Sequence, residues 1–99
     1  MRKRSINYRD DLMKALTDPE ERAAYINAAL DEGDVRVLLT ALRNVAEATG
    51  GVGRLALKTK LARESLYRML SEKGNPELGS LEKILHSLGL KLSVQPECR

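Results

Sequence analysis

The chain has 99 residues, with 17 Lys or Arg against 14 Asp or Glu and a formal charge of +3. Apolar residues make up 42% and charged residues 31%, the balance of a globular protein and not of a disordered tail, and the length suits one domain with a small helical extension. One Cys and one His exclude a zinc site, which takes about four N or S ligands, and a disulfide framework.

Residues 1–17 read as a basic arm followed by a short helix. Arg2, Lys3, Arg4 and Arg9 place +4 on the first nine residues. No apolar core follows MRKRSINYRDD, so it is not a signal peptide, and a frayed terminus is the plain reading of Arg2, Lys3 and Arg4. Leu12, Met13 and Leu16 suggest one or two helical turns. Asp18-Pro19-Glu20-Glu21 is a helix start: Asp18 caps, Pro19 fits the first helical position, and the acids suit the positive end of the dipole. That helix, with Ile26 and Leu30 one turn apart and Tyr25 and Ala29 beside them, should run to about Glu32 and end at a left-handed Gly33. Asp34 caps the next. Its Val35, Leu38, Leu39, Leu42, Val45 and Ala46 have the one-face period of an amphipathic helix. It ends at Gly50-Gly51, a hinge or a boundary between a two-helix extension (18–50) and a second region (51–94).

Beyond Gly51 the helices become shorter. One is expected over 52–58. A second is expected over 63–71, with Leu66, Met69 and Leu70 inward and Gly74 as its stop. Asn75-Pro76 opens a loop, since Pro76 disfavours helix at the residue before it. Ser80 is the expected cap of a last helix with Leu81, Ile84, Leu85 and Leu88 inward and His86 exposed, closed by Gly89. Residues 90–94 alternate apolar and polar and read as one short strand. A lone strand needs another edge, such as its copy in a second subunit. Residues 95–99 are a tail in which Cys98 is a free, exposed thiol, as expected of a cytoplasmic protein. No apolar run approaches the ~20 residues of a membrane span.

The helices over 52–58 and 63–71 and the turn Thr59-Lys60-Leu61-Ala62 between them carry the functional argument. A helix-turn-helix needs a first helix crossing the DNA backbone, a turn of three or four residues, and a second helix whose outer face enters the major groove. Leu55 and Ala56 supply the first helix's packing face, Leu61 plugs the core from the turn, and Leu66 and Leu70 hold the second helix down. Arg63, Glu64, Tyr67 and Arg68 are left facing out. Arg can contact guanine in bidentate fashion and Glu can accept from cytosine N4, so Arg63, Glu64 and Arg68 are the candidates for base edges. Arg54, Lys58, Lys60, Ser65, Tyr67, Lys73 and Asn75 are the candidates for phosphates. With no Trp, no Phe and three Tyr, a stacking groove for single strands is excluded. The charge agrees with a polyanion at the carboxyl half: residues 10–50 carry −5 and residues 51–99 carry +4. A solvated surface explains that division equally well. His86 has no Ser, Cys or acid partner, and Asp10-Asp11 and Glu20-Glu21 read as a solvated face and a helix start. No catalytic site, metal or cofactor is expected.

Leu55-Ala56, Leu61, Arg63-Glu64-Ser65-Leu66-Tyr67, Leu70-Ser71, Gly74-Asn75-Pro76 and Leu88-Gly89-Leu90 together resemble the addiction-module antidote proteins, related to HigA-type antitoxins with an Xre/Cro-type helix-turn-helix. Asp18-Pro19-Glu20-Glu21, the run from Ala24 to Leu30, and Gly33-Asp34 resemble the leading helices of that family, so the likeness covers residues 9–94. Two positions depart from the pattern, and Gly50-Gly51-Val52-Gly53 is a looser lead-in than the family's. Lys60 stands where the turn has Gly and a positive φ is wanted. Ala62 stands where Ser or Thr caps the second helix, a loss of roughly 0.5–2 kcal/mol.

The resemblance implies an all-α, lambda-repressor-like domain with an N-terminal helical extension. It implies a type II antitoxin that neutralises a RelE/HigB-like toxin and, as a homodimer, represses its own operon at a palindromic operator in double-stranded DNA. The acidic stretch 10–50 suits a basic toxin as a docking surface, and the carboxyl-terminal strand and the basic arm are equal candidates. The alternatives are a prophage-type repressor without a toxin and a toxin-binding protein that does not bind DNA.

Overall fold

The computed structural model of the chain describes residues 4–97, with side chains from residue 8 onward. Arg2, Lys3 and Cys98, and the side chain of Arg4, lie outside the described residues. Six helices follow one another: α1 Arg4–Ala15, α2 Pro19–Asp31, α3 Val35–Ala48, α4 Val52–Thr59, α5 Arg63–Met69 and α6 Leu78–Ser87.

The local chemistry explains most boundaries. The Asp18 carboxylate accepts from the Glu20 N–H at 3.1 Å ahead of Pro19, and Asp34 does the same for Arg36 at 3.0 Å. Each satisfies an amide that the first helical turn leaves without a partner. Gly33 turns the chain between α2 and α3 at φ 74°. The ends of α3 and α6 close alike. With Gly50 at φ 119°, the Gly51 N–H reaches the Ala46 carbonyl at 2.8 Å. With Gly89 at φ 80°, the Leu90 N–H reaches the Leu85 carbonyl at 2.8 Å. Both are Schellman closures, which place glycine at the left-handed position.

α3 packs against α1, α2 and α4, and α4 packs in turn against α5 and α6. One aliphatic cluster runs from Leu16 and Ile26 through Leu39, Leu42, Val45 and Ala46 to Leu55, Leu66, Leu70, Ile84, Leu85 and Leu88. It crosses Gly50-Gly51 without interruption. Each fully buried Leu or Ile contributes on the order of 2 kcal/mol by leaving water. Three arginines tie the helices across this core. Arg22 donates to the carbonyls of Leu16, Thr17 and Leu88, joining the end of α1 to the end of α6. Arg43 on α3 donates to the Leu70 carbonyl at the end of α5. Arg9 on α1 donates to Asn44 at 3.1 Å and to Glu47 at 2.6 Å on α3, and Asn44 donates to the Tyr25 hydroxyl on α2 at 2.8 Å.

Several expectations are corrected. The strand expected at residues 90–94 is absent; that stretch has no regular secondary structure, because the described chain offers no second strand to complete a ladder. α1 is a 12-residue helix, longer than its few apolar residues suggested. Polar contacts such as those of Arg9 hold it, and these leave no hydrophobic period. α6 begins at Leu78 after Glu77, so Ser80 lies inside the helix and is not its cap. The extended backbone of Glu77, after Pro76, already sets the entry. α5 stops at Met69, two residues short of the expected end. On α3 the first apolar residue, Val35, is 54% exposed, because the buried stripe starts only at Leu39.

Candidate nucleic-acid interface

α4 and α5 are joined by Lys60, Leu61 and Ala62. Lys60 is left-handed at φ 63°, alone in this among the described non-glycine residues, and its N–H reaches the Ala56 carbonyl at 2.9 Å. The buried Thr59 hydroxyl fixes the turn from within. It donates to the Leu55 carbonyl at 2.8 Å and accepts from the Leu61 N–H at 3.2 Å. Leu61 packs against the core from the turn. Ala62 has the extended backbone of a cap, φ −66° and ψ 138°, but no side-chain acceptor to go with it.

α5 is seated from both ends. Leu66 and Leu70 are buried, and Arg43 holds the Leu70 carbonyl. Beyond α5 the chain passes back across its last turn at Gly74, where a Cβ would lie 2.0 Å from the Met69 carbonyl oxygen, so that only glycine fits. Arg63, Glu64, Tyr67 and Arg68 are exposed, and Ser65 is half-buried. Among the described residues, no ion pair engages Arg54, Lys58, Lys60, Arg63, Arg68 or Lys73, so their charge is open to a polyanion. Asp34, whose pKa is displaced, lies elsewhere. A side-chain hydrogen bond from Arg36 holds it below the ordinary carboxylate value.

The structure divides the residues that the sequence grouped. Ser65, Arg68 and Asn75 share a groove of about 320 Å³ with Ala62, Glu77 and Ser80, between α5 and the start of α6. Arg54 and Lys58 line a different groove, of about 290 Å³, with Arg22, Thr17, Thr49 and Ser87. Tyr67 lines a third, of about 280 Å³, with Arg43, Glu47 and Val52. The guanidinium of Arg63 lies back along α4 against Gly53, where a Cβ would come 2.9 Å from Nη2. Glu64, Lys60 and Lys73 are exposed outside these grooves. Sequence reading named Gly74 as a helix stop and Thr59 as part of the turn without the contacts they make, and it missed the close approach at Gly53 and the tie made by Arg43. A glycine within a helical pattern marks close approach, and that signal was present at Gly53. The contact between Arg43 and Leu70 leaves no sequence signal.

An all-helical chain with a solvent-facing, unpaired cationic surface on its short α4–α5 pair is thus defined. Residues 7–96 match a family model described as "Probable addiction module antidote protein". A Haemophilus influenzae protein (strain ATCC 51907 / DSM 11121 / KW20 / Rd), named only as an uncharacterized protein, is 34% identical over 85 residues, which is 86% of this chain and 87% of its own. No solved structure gives a significant match. The chain belongs to the family of addiction-module antidote proteins. Antidote membership supports an antitoxin role and implies a toxin as partner. No helix among the described residues is long and apolar enough to cross a membrane.

Proposed function

We propose that this protein is the antitoxin of a type II toxin–antitoxin module. It is a cytoplasmic, non-enzymatic homodimer that binds a RelE/HigB-like toxin directly. It represses its own operon through a helix-turn-helix of Xre/Cro type formed by α4 and α5. The observation that carries the DNA half is the outer face of α5. Arg63, Glu64 and Arg68 are exposed there without ion-pair partners, on a helix whose other side is locked by Leu66, Leu70, Arg43 and Gly74. Rigid seating of the reading helix is what base discrimination requires. Lys60 and Lys73 supply phosphate contacts on this side, together with Ser65, Tyr67 and Asn75. Arg54 and Lys58 line a separate groove and extend the cationic surface.

The test is binding to the DNA upstream of the protein's own gene, against scrambled DNA of equal length, at two salt concentrations. Specific, salt-sensitive binding is expected. Arg63→Ala should relax preference at one base position at a cost of about 1–3 kcal/mol, whereas Lys60→Ala should weaken all sequences alike. No preference over scrambled DNA would leave α4–α5 as the scaffold of a toxin-binding protein. Specific binding, with no small basic protein encoded beside the gene captured by the chain, would leave a lone repressor.

A further inference from the structure

The chain from Leu90 to Gln95 has no regular secondary structure, and Leu90, Lys91 and Leu92 lie beside Glu82, Lys83 and His86 of α6. After the Leu90 N–H, which closes α6, no residue from Lys91 to Gln95 makes a backbone hydrogen bond to another described residue. Leu92 is 39% exposed and Val94 98% exposed. The groove beside the segment, about 320 Å³, is lined by Ile26, Leu30, Leu85, Leu90 and Leu92, and Leu30 is itself 48% exposed. Its backbone groups are unpaired within the described residues, and it lies next to apolar surface without a cover.

We infer that what covers it is the same segment of a second copy, paired antiparallel about a two-fold axis at Leu92. This rests on the homodimer of the proposed function and supplies its interface. Sequence symmetry selects the occupant. Residues directly opposite in an antiparallel pair point to the same face, so a register that sets odd positions against even ones would put apolar residues against polar ones. An axis at Lys91 would oppose two like charges. An axis at Ser93 would set Leu90 against Pro96. The axis at Leu92 places each apolar residue of the segment against another without opposing two lysines: Leu90 on Val94, Leu92 on Leu92, Val94 on Leu90. It also sets Lys91 against Ser93. Pro96, which cannot donate to a ladder, bounds the strand. Such an interface is isologous, as a two-fold dimer requires. A stable dimer needs about 800 Å² from each partner, more than five strand residues supply, and the exposed Leu30 adjoining the strand adds apolar area.

The test is sedimentation velocity on the full chain together with cysteine crosslinking. At tens of micromolar the protein should be a dimer. Leu92→Lys, which sets two ammonium groups together at the axis at a position already 39% exposed, should weaken dimerisation at least tenfold while leaving helical circular dichroism unchanged. In a Cys98→Ser background, Leu92→Cys should oxidise to a covalent dimer much faster than Lys91→Cys or Ser93→Cys. Opposite positions come within disulfide reach, whereas diagonal neighbours stand about 7–8 Å apart. A monomeric wild type, a dimer indifferent to Leu92→Lys, or equal crosslinking at all three positions would overturn the inference. A monomer that still bound toxin and single operator half-sites would do so while leaving the antitoxin reading intact.

Discussion

The chain contains two helical pairs built to the same plan and finished differently. α2 and α3 are joined by Glu32-Gly33-Asp34, and α4 and α5 by Lys60-Leu61-Ala62. Each linker has one left-handed residue and ends on a residue in cap conformation. In the first pair a glycine takes the left-handed position and an aspartate caps. In the second a lysine and an alanine occupy those places. The second pair thus forgoes local stability, and in exchange its linker carries a cation and no carboxylate. That difference is expected where a helix start must approach phosphates, and not where it meets other protein surface.

The largest effect is expected where the first pair is tied to α6. Arg22→Met should remove three carbonyl contacts that join the α1–α2 turn to the end of α6, at a cost of about 3 kcal/mol, because hydrogen bonds to a charged donor are individually strong and their loss leaves carbonyls without partners. Thermal denaturation should show a fall of more than ~10 °C. The linkers come next, as an exchange. Gly33→Ala meets no neighbour, so its cost of about 1 kcal/mol is purely conformational. Lys60→Gly should gain a similar amount while lowering affinity for every DNA sequence and reducing the salt slope by about one. A Lys60→Gly variant no more stable than wild type would remove the parallel between the linkers.

Ala62 separates stability from charge. Ala62→Ser and Ala62→Asp should both stabilise by about 1 kcal/mol through the missing cap, but only the aspartate should weaken DNA binding. Equal DNA affinities would place the start of α5 away from phosphate. The smallest effect is pH-dependent. The Arg36 hydrogen bond keeps Asp34 ionised to lower pH than an unfolded chain would. Its contribution is therefore present above the ordinary carboxylate value and is lost as pH falls through the lowered one. Amide exchange in the first turn of α3 should rise below that pH, while α5, with no side-chain cap, should show no matching step.

Helix boundaries were legible wherever punctuation was chemical: Asp18-Pro19, Asp34, Gly33, Gly50-Gly51 and Gly89 all act as their residue types require. α1 and the start of α6 were not. The first is held by Arg9 reaching 35 and 38 residues along the chain, and the second opens with an exposed Leu78 and a Gly79 that carry no helical signal. The outward face of α5 followed from its period, since Leu66 and Leu70 fix which side is buried. The division of cations among three grooves did not. It depends on how α4 is turned against α2 and α6, and long-range packing sets that.

The aliphatic cluster that crosses Gly50-Gly51 carries one last consequence. Two halves that share a core melt together, so a protease acting on opened chains would meet the whole molecule or none of it. An antidote built this way has a single lifetime. On the proposed function, release of the toxin and release of the promoter would then run on the same clock, with no fragment surviving to do one task without the other.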